Sequence, residues 1–303
     1  MNSENILEIY GLSKCFGDKN VLCGIDLAVP SGNVFGFVGR NGAGKTTTMK
    51  AVLGLLKIDE GEILVAGERV TYGETATNRY IGYLPDVPEF YTFMTPVEYL
   101  RLCGECGGLT LKEILNRTTE LLSLVGLSND ANRRIKGFSR GMKQRLGIAQ
   151  ALLHRPKLLI CDEPTSALDP IGRREILDIL VSVKNETTVL FSTHILSDVE
   201  RICDSVAFLE QGKIVKSGSV DELKKLSGTR EFVVETVAEE GFIALTTHFP
   251  SATSVGNDRV VFTGDDSLMR RVMAFIVENE ITVSKIERLE PSLENVFMEV
   301  MKK

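Results

Sequence analysis

Residues 33–56 read NVFGFVGRNGAGKTTTMKAVLGLL. The run NVFGFV is apolar and bounded by glycine, the pattern of a buried strand. TTTMKAVLGLL reads as a helix, so the glycine cluster between them is a strand-to-helix turn. Within it, Gly39-Arg40-Asn41-Gly42-Ala43-Gly44-Lys45-Thr46 fits GxxxxGK[ST] in the setting that gives this spacing its meaning. Glycines let backbone N–H groups turn inward around phosphate oxygens, and the helix N-terminus adds partial positive charge. Lys45 is expected to reach β/γ-phosphates, the Thr46 hydroxyl to ligate Mg²⁺, and Thr47 to bond an α-phosphate.

A second run, LLICDEP, leads an apolar strand into Asp162 and Glu163. Adjacent acids ending a buried strand are costly unless a cation or ordered water offsets them. Asp162 is expected to hold Mg²⁺ through water, and Glu163 to reach the water that attacks a terminal phosphate. A third run, YIGYLPDVPEF at 80–90, places Asp86 just past another buried strand, where open α/β sheets set their ligand-contacting groups.

Around these runs the chain alternates. LEIYGLS, VLCGIDLAV and NVFGFVG read as strands, and GEILVAGERV as a hairpin about Ala66-Gly67. A helical block begins near Met94. Thr95-Pro96-Val97-Glu98 and Thr110-Leu111-Lys112-Glu113 both carry capping-box spacing. From Lys157 the order strand, helix, strand returns, which argues for a largely parallel sheet covered by helices. DSVAFLEQGKIVKSGS reads as a hairpin turning at Gln211-Gly212. Past Gly228 the texture shifts to short strands (EFVVETV, RVVFTG, ITVSKIERL) between helical segments, a small α+β domain of ferredoxin-like order with a closing helix at SLENVFMEVMK.

With 303 residues, 43% hydrophobic and 25% charged, the chain can bury one large core and a small second one. A net charge of −6 argues against a nucleic-acid surface, so no nucleic-acid partner is expected. No secretory leader and no run of eighteen apolar residues is read, so a cytoplasmic chain is expected. Six scattered cysteines fit reduced thiols. Cys103 and Cys106 read as half-buried helix residues, lacking a second pair or a histidine to complete a zinc site.

The motifs, in this order, resemble those of the nucleotide-binding subunits of ATP-binding cassette (ABC) transporters, over residues 4–228. GRNGAGKTT is similar to Walker A, LLICDEP to Walker B, FSRGMKQ to the signature, SALD (166–169) to the D-loop, and His194 in FSTH to the switch histidine. The resemblance implies an α/β P-loop NTPase core with an antiparallel β subdomain and an α-helical subdomain at about 93–140, followed by the α+β domain at 229–303. It implies ATP and Mg²⁺ as ligands and Glu163 as general base, with His194 contacting the γ-phosphate and Lys45 stabilising charge. Asp86, Asp162 and Thr46 are the metal candidates. Phe16 stands where the family stacks an aromatic ring on adenine, core packing being the competing reading. Ser139 and Gly141 would complete the site of a second copy, giving two composite sites in a homodimer.

The implied function is ATP hydrolysis that closes and reopens the dimer, powering export by a separate integral membrane permease. The chain itself would lie peripheral to the inner face of the membrane. Alternatives are a non-transport ABC ATPase of translation or DNA maintenance, and a regulatory ATPase. Dimerisation, permease contact, ligand sensing and a purely structural role all stand open for the C-terminal domain. Two positions depart from the family. Phe138-Ser139-Arg140-Gly141-Met142 replaces LSGGQ, keeping the serine and second glycine, and Asp86 stands for the usual sensor glutamine. A carboxylate there is shorter, charged and without an amide donor; it either ligates Mg²⁺ or faces solvent.

Overall fold

The apolar run ahead of the glycine cluster is the strand Val34–Gly39, buried at every residue. In the computed structural model, which describes residues 5–226, 231–289 and 292–301, it lies inside a six-stranded sheet. The order across that sheet is Lys213–Ser219, Ser205–Glu210, Val34–Gly39, Thr188–Thr193, Leu158–Asp162 and Ile81–Leu84. All neighbours run parallel except the first pair, an antiparallel hairpin turning at Gln211 and Gly212 with positive φ. Leu158–Asp162 and Thr188–Thr193 are also buried throughout, the signature of strands covered on both faces.

A second sheet, antiparallel, orders Lys19–Pro30, Asn5–Phe16, Glu60–Val65 and Glu68–Arg69. Leu7, Ile9, Leu12 and Ile63 of this sheet join Phe35, Phe37, Ile160 and Leu190 of the parallel sheet and Met49 of the helix Lys45–Val52 in one core cluster. That helix closes sooner than its apolar pattern suggests. Gly54, at φ 68°, gives its N–H to Ala51 O, and Leu55 gives its own to Lys50 O, a Schellman ending.

The helical block holds Pro96–Cys106 and Leu111–Leu124, each opened by the expected capping box, and then Arg140–Leu152. Cys103 is partly buried and Cys106 exposed, and both are free, so only the first is half-buried as expected.

The chain divides into the units Met1–Val220 and Asp221–Lys303. The expected boundary at 228/229 lies outside the described residues. In the second unit the antiparallel order is Thr253–Val255, Arg259–Thr263, Glu231–Thr236, Val283–Leu289, with helices Glu239–His248 and Asp266–Glu278. The succession βαββαβ with this order is ferredoxin-like. Its short strand Thr253–Val255 went unread because all three residues are exposed and carry no apolar alternation. Phe232, Val234, Phe249 and Phe262 anchor a core of their own. The closing helix is Leu293–Met301; Lys302 lies outside the described residues.

Candidate nucleotide site

Parallel pairing brings four strand ends to one edge. Val38 lies opposite Thr193, Asp162 opposite Ser192, and Leu84 opposite Cys161, so the residues that follow converge. A cavity of about 510 Å³ opens there. Asn41, Gly42, Gly44, Lys45, Thr46 and Thr47 line it from the turn, and Asp86, Asp162, Glu163 and His194 from the other strand ends. The turn needs its glycines. Gly44 holds φ 114°, and a Cβ there would fall 2.6 Å from Leu22 Cδ2; at Gly39 it would fall 2.5 Å from the Leu209 carbonyl.

Lys45 is buried and held from three sides. Its Nζ donates to the Gly39 carbonyl at 2.7 Å and the Arg40 carbonyl at 3.3 Å, and lies 3.0 Å from Glu163 Oε1. The ammonium is not aimed along a hydrogen bond to that oxygen, which stays buried with an ion-pair neighbour and no donor. The other Glu163 oxygen, Oε2, sits 2.9 Å from His194 Nδ1.

Asp162 is gripped at both oxygens. Thr46 Oγ1 donates to Oδ2 at 2.7 Å and Ser192 Oγ to Oδ1 at 2.6 Å. The Glu163 backbone is left-handed, φ 49°, a sparsely populated state for an acid. Its N–H is caught by Ser192, donating to the carbonyl at 3.2 Å and the hydroxyl at 3.0 Å. Ser192 is a residue that motif reading passed over. The available signal was a hydroxyl at the end of the buried strand Thr188–Thr193, one strand over from the acids. Lys19 and Val21 also line the cavity and were not foreseen, and Ser166, the first residue of the SALD run, lines it too.

Asp86 stands at the rim, its side chain about half exposed. Burial pushes its carboxyl above the usual range; Arg140 opposes the rise, while Asp162 and Glu163 add to it. Burial and then Asp162 push the nearby Tyr83 phenol up to about 12, so it stays neutral. Phe16 does not line the cavity: it is half exposed, which excludes the core reading, with Lys14 Nζ 5.4 Å from the centre of its ring. Ser139 and Gly141 also lie outside the lining. Ser139 caps the helix Arg140–Leu152 by accepting from Met142 N, and a Cβ on Gly141 would meet Leu168 Cδ2 at 3.9 Å and Ser139 Oγ at 4.0 Å, ordinary contact distances.

No cluster of three His, Cys, Asp or Glu side chains forms a metal site among the described residues. A cation here would take a hydroxyl and a carboxylate from the protein and its remaining ligands from phosphate and water, the usual manner of Mg²⁺. The hydroxyl of Thr46 touching Asp162, beside an undonated Glu163 oxygen, fits that division.

The comparisons agree with this geometry. Residues 22–166 match the ABC transporter family model, and 218–301 match the C-terminal domain of DrrA1-3-like ATP-binding proteins. An uncharacterized ABC transporter ATP-binding protein of Bacillus subtilis (strain 168), YxlF, is 38% identical over 98% of this chain and 99% of its own length. The bacitracin transport ATP-binding protein BcrA of Bacillus licheniformis is 35% identical, covering 98% of this chain and 97% of that protein. A solved ATP-binding subunit of an ABC transporter superposes with a TM-score of 0.67, at 35% identity over 74% of this chain and 93% of the other. The chain belongs to the ATP-binding subunits of ABC transporters, in the group that carries a DrrA1-3-like C-terminal domain. It is an ABC-type ATPase subunit that serves a membrane permease, and the translation, DNA-maintenance and regulatory readings fall away.

Proposed function

We propose that this chain hydrolyses Mg–ATP in the cavity at the strand ends, using a second copy to complete each site, and so drives export through a separate permease. The observation that carries the chemistry is Glu163. Its Oε1 is buried, lacks a donor, and rests 3.0 Å from Lys45 Nζ, while His194 steadies Oε2. Backbone N–H groups of the glycine turn bind the phosphates, and Lys45 turns from Glu163 to the β/γ-phosphates. Glu163 then accepts a proton from the water it orients, and Asn41, Gly42 and Thr47 fix the nucleotide for in-line attack. Bound Mg²⁺, held by Thr46, Asp162 and Asp86, would neutralise charge on the phosphoryl oxygens.

Ser139 and Gly141 lie outside their own chain's cavity, which supports their acting on the nucleotide of a partner copy. Phe16, half exposed, is available to an adenine ring. No helix among the described residues is long and apolar enough to cross a membrane, which supports docking on the cytoplasmic face through the permease. The name of the BcrA relative supports an antimicrobial compound as the cargo class. The proposed domain boundary is 228/229, eight residues past the division between the two units, with dimerisation or permease contact as the proposed C-terminal role.

Glu163→Gln is the test. We expect ATP binding to persist, a stable dimer to accumulate with ATP, and turnover to fall by roughly a hundredfold or more. Unchanged hydrolysis would remove Glu163 from the mechanism.

A further inference from the structure

The start of the signature helix, Arg140–Leu152, grips Asp86 twice. Arg140 Nη2 donates to Asp86 Oδ1 at 3.3 Å. One turn on, Gln144 Nε2 donates to the Asp86 carbonyl at 2.8 Å. Gln144 is fully buried, whereas Arg140 and Asp86 are each nearly half exposed. Farther along, the helix lies tight against the strand that delivers Asp86. A Cβ on Gly147 would fall 2.5 Å from Leu84 Cδ1, and one on Gly82 would fall 2.2 Å from the Ala151 carbonyl. Strand, residue 86 and helix are therefore one packed unit.

Asp86 faces two ways. It lines the cavity beside Asp162 and Glu163, and it lines a neighbouring groove with Glu89, Arg140 and Lys143. Three carboxylates around a space meant for phosphates repel one another and the ligand. Arg140 supplies a cation to one of them from outside the cavity. The arginine that replaces a glycine of the signature and the acid that replaces the sensor glutamine are thus each other's partner.

We propose that Arg140 is the positioning residue for Asp86: it draws the carboxylate off the phosphates. The inference rests on nucleotide occupying this cavity. Asp86 then has two partners to divide between, Arg140 and the Mg²⁺ that accompanies the nucleotide.

The experiment is equilibrium binding of a fluorescent ATP analogue to the full chain, first with EDTA and then with Mg²⁺ titrated in. Arg140→Gln is expected to weaken metal-free binding roughly threefold, the size suited to a half-exposed pair. Saturating Mg²⁺ should close most of that gap. Arg140→Lys should keep most of the parent affinity, and Asp86→Asn added to Arg140→Gln should restore it. The gap should shrink at high salt, as exposed charges are screened. Equal metal-free binding by parent and Arg140→Gln, or single effects that merely add in the double variant, overturns the pairing. A parent chain that binds no analogue under any condition overturns instead the nucleotide reading beneath it.

Discussion

At Asp162 each carboxylate oxygen takes a hydroxyl proton, one from Thr46 and one from Ser192, and the Ser192 oxygen in turn takes the Glu163 amide hydrogen. A single buried hydroxyl thus orients both acids. Ser192→Ala leaves Asp162 Oδ1 without a donor and loosens the left-handed turn at Glu163. Losing such a buried partner costs about 1–3 kcal/mol, or roughly tenfold or more in rate where it falls on the transition state. We expect the steady-state ATPase kcat to drop by about that factor while affinity for an ATP analogue stays within about threefold of the parent. An equal loss in both quantities would mean that Ser192 serves only the fold.

Glycine packing governs the helix on the sensor strand. Gly82→Ala sets a methyl 2.2 Å from the Ala151 carbonyl, and backbone cannot yield as a side chain does. Thermal unfolding should show a loss of about 1–3 kcal/mol, with Tm lowered accordingly. An unmoved Tm would show that the helix slides freely on its strand. Elements like these divide by how local their cause is. The capping boxes at Thr95 and Thr110, the Ala66-Gly67 and Gln211-Gly212 turns and the buried strands were legible, because each is decided within a few residues. The strand Thr253–Val255 was not, since exposed residues leave no periodicity and only pairing with Arg259–Thr263 makes it a strand. For the site, Lys45, Asp162 and Glu163 were legible because glycine spacing and costly paired acids mark them. Ser192 and the Arg140–Asp86 pair were not, because each depends on which strand or helix lies alongside, a property of the register.

For the whole molecule, Ser139 and Gly141 lie outside the lining of their own cavity, which bears on the proposed shared site. If each site needs a partner's signature, ATPase activity per chain should rise with chain concentration at saturating ATP and then level off. Serial dilution of the purified chain measures it, and a specific activity constant down to high dilution would count against shared sites. Within each chain, one torsion angle carries an unexpected weight. Glu163 keeps a φ of 49°, where a side chain costs on the order of 1–3 kcal/mol and only the surroundings hold it. The position proposed to orient water is thus also held in a strained backbone state, so a residue that eased the backbone there would make a sturdier chain and, on that proposal, a dead enzyme. On that reading, durability and turnover compete for the same peptide unit.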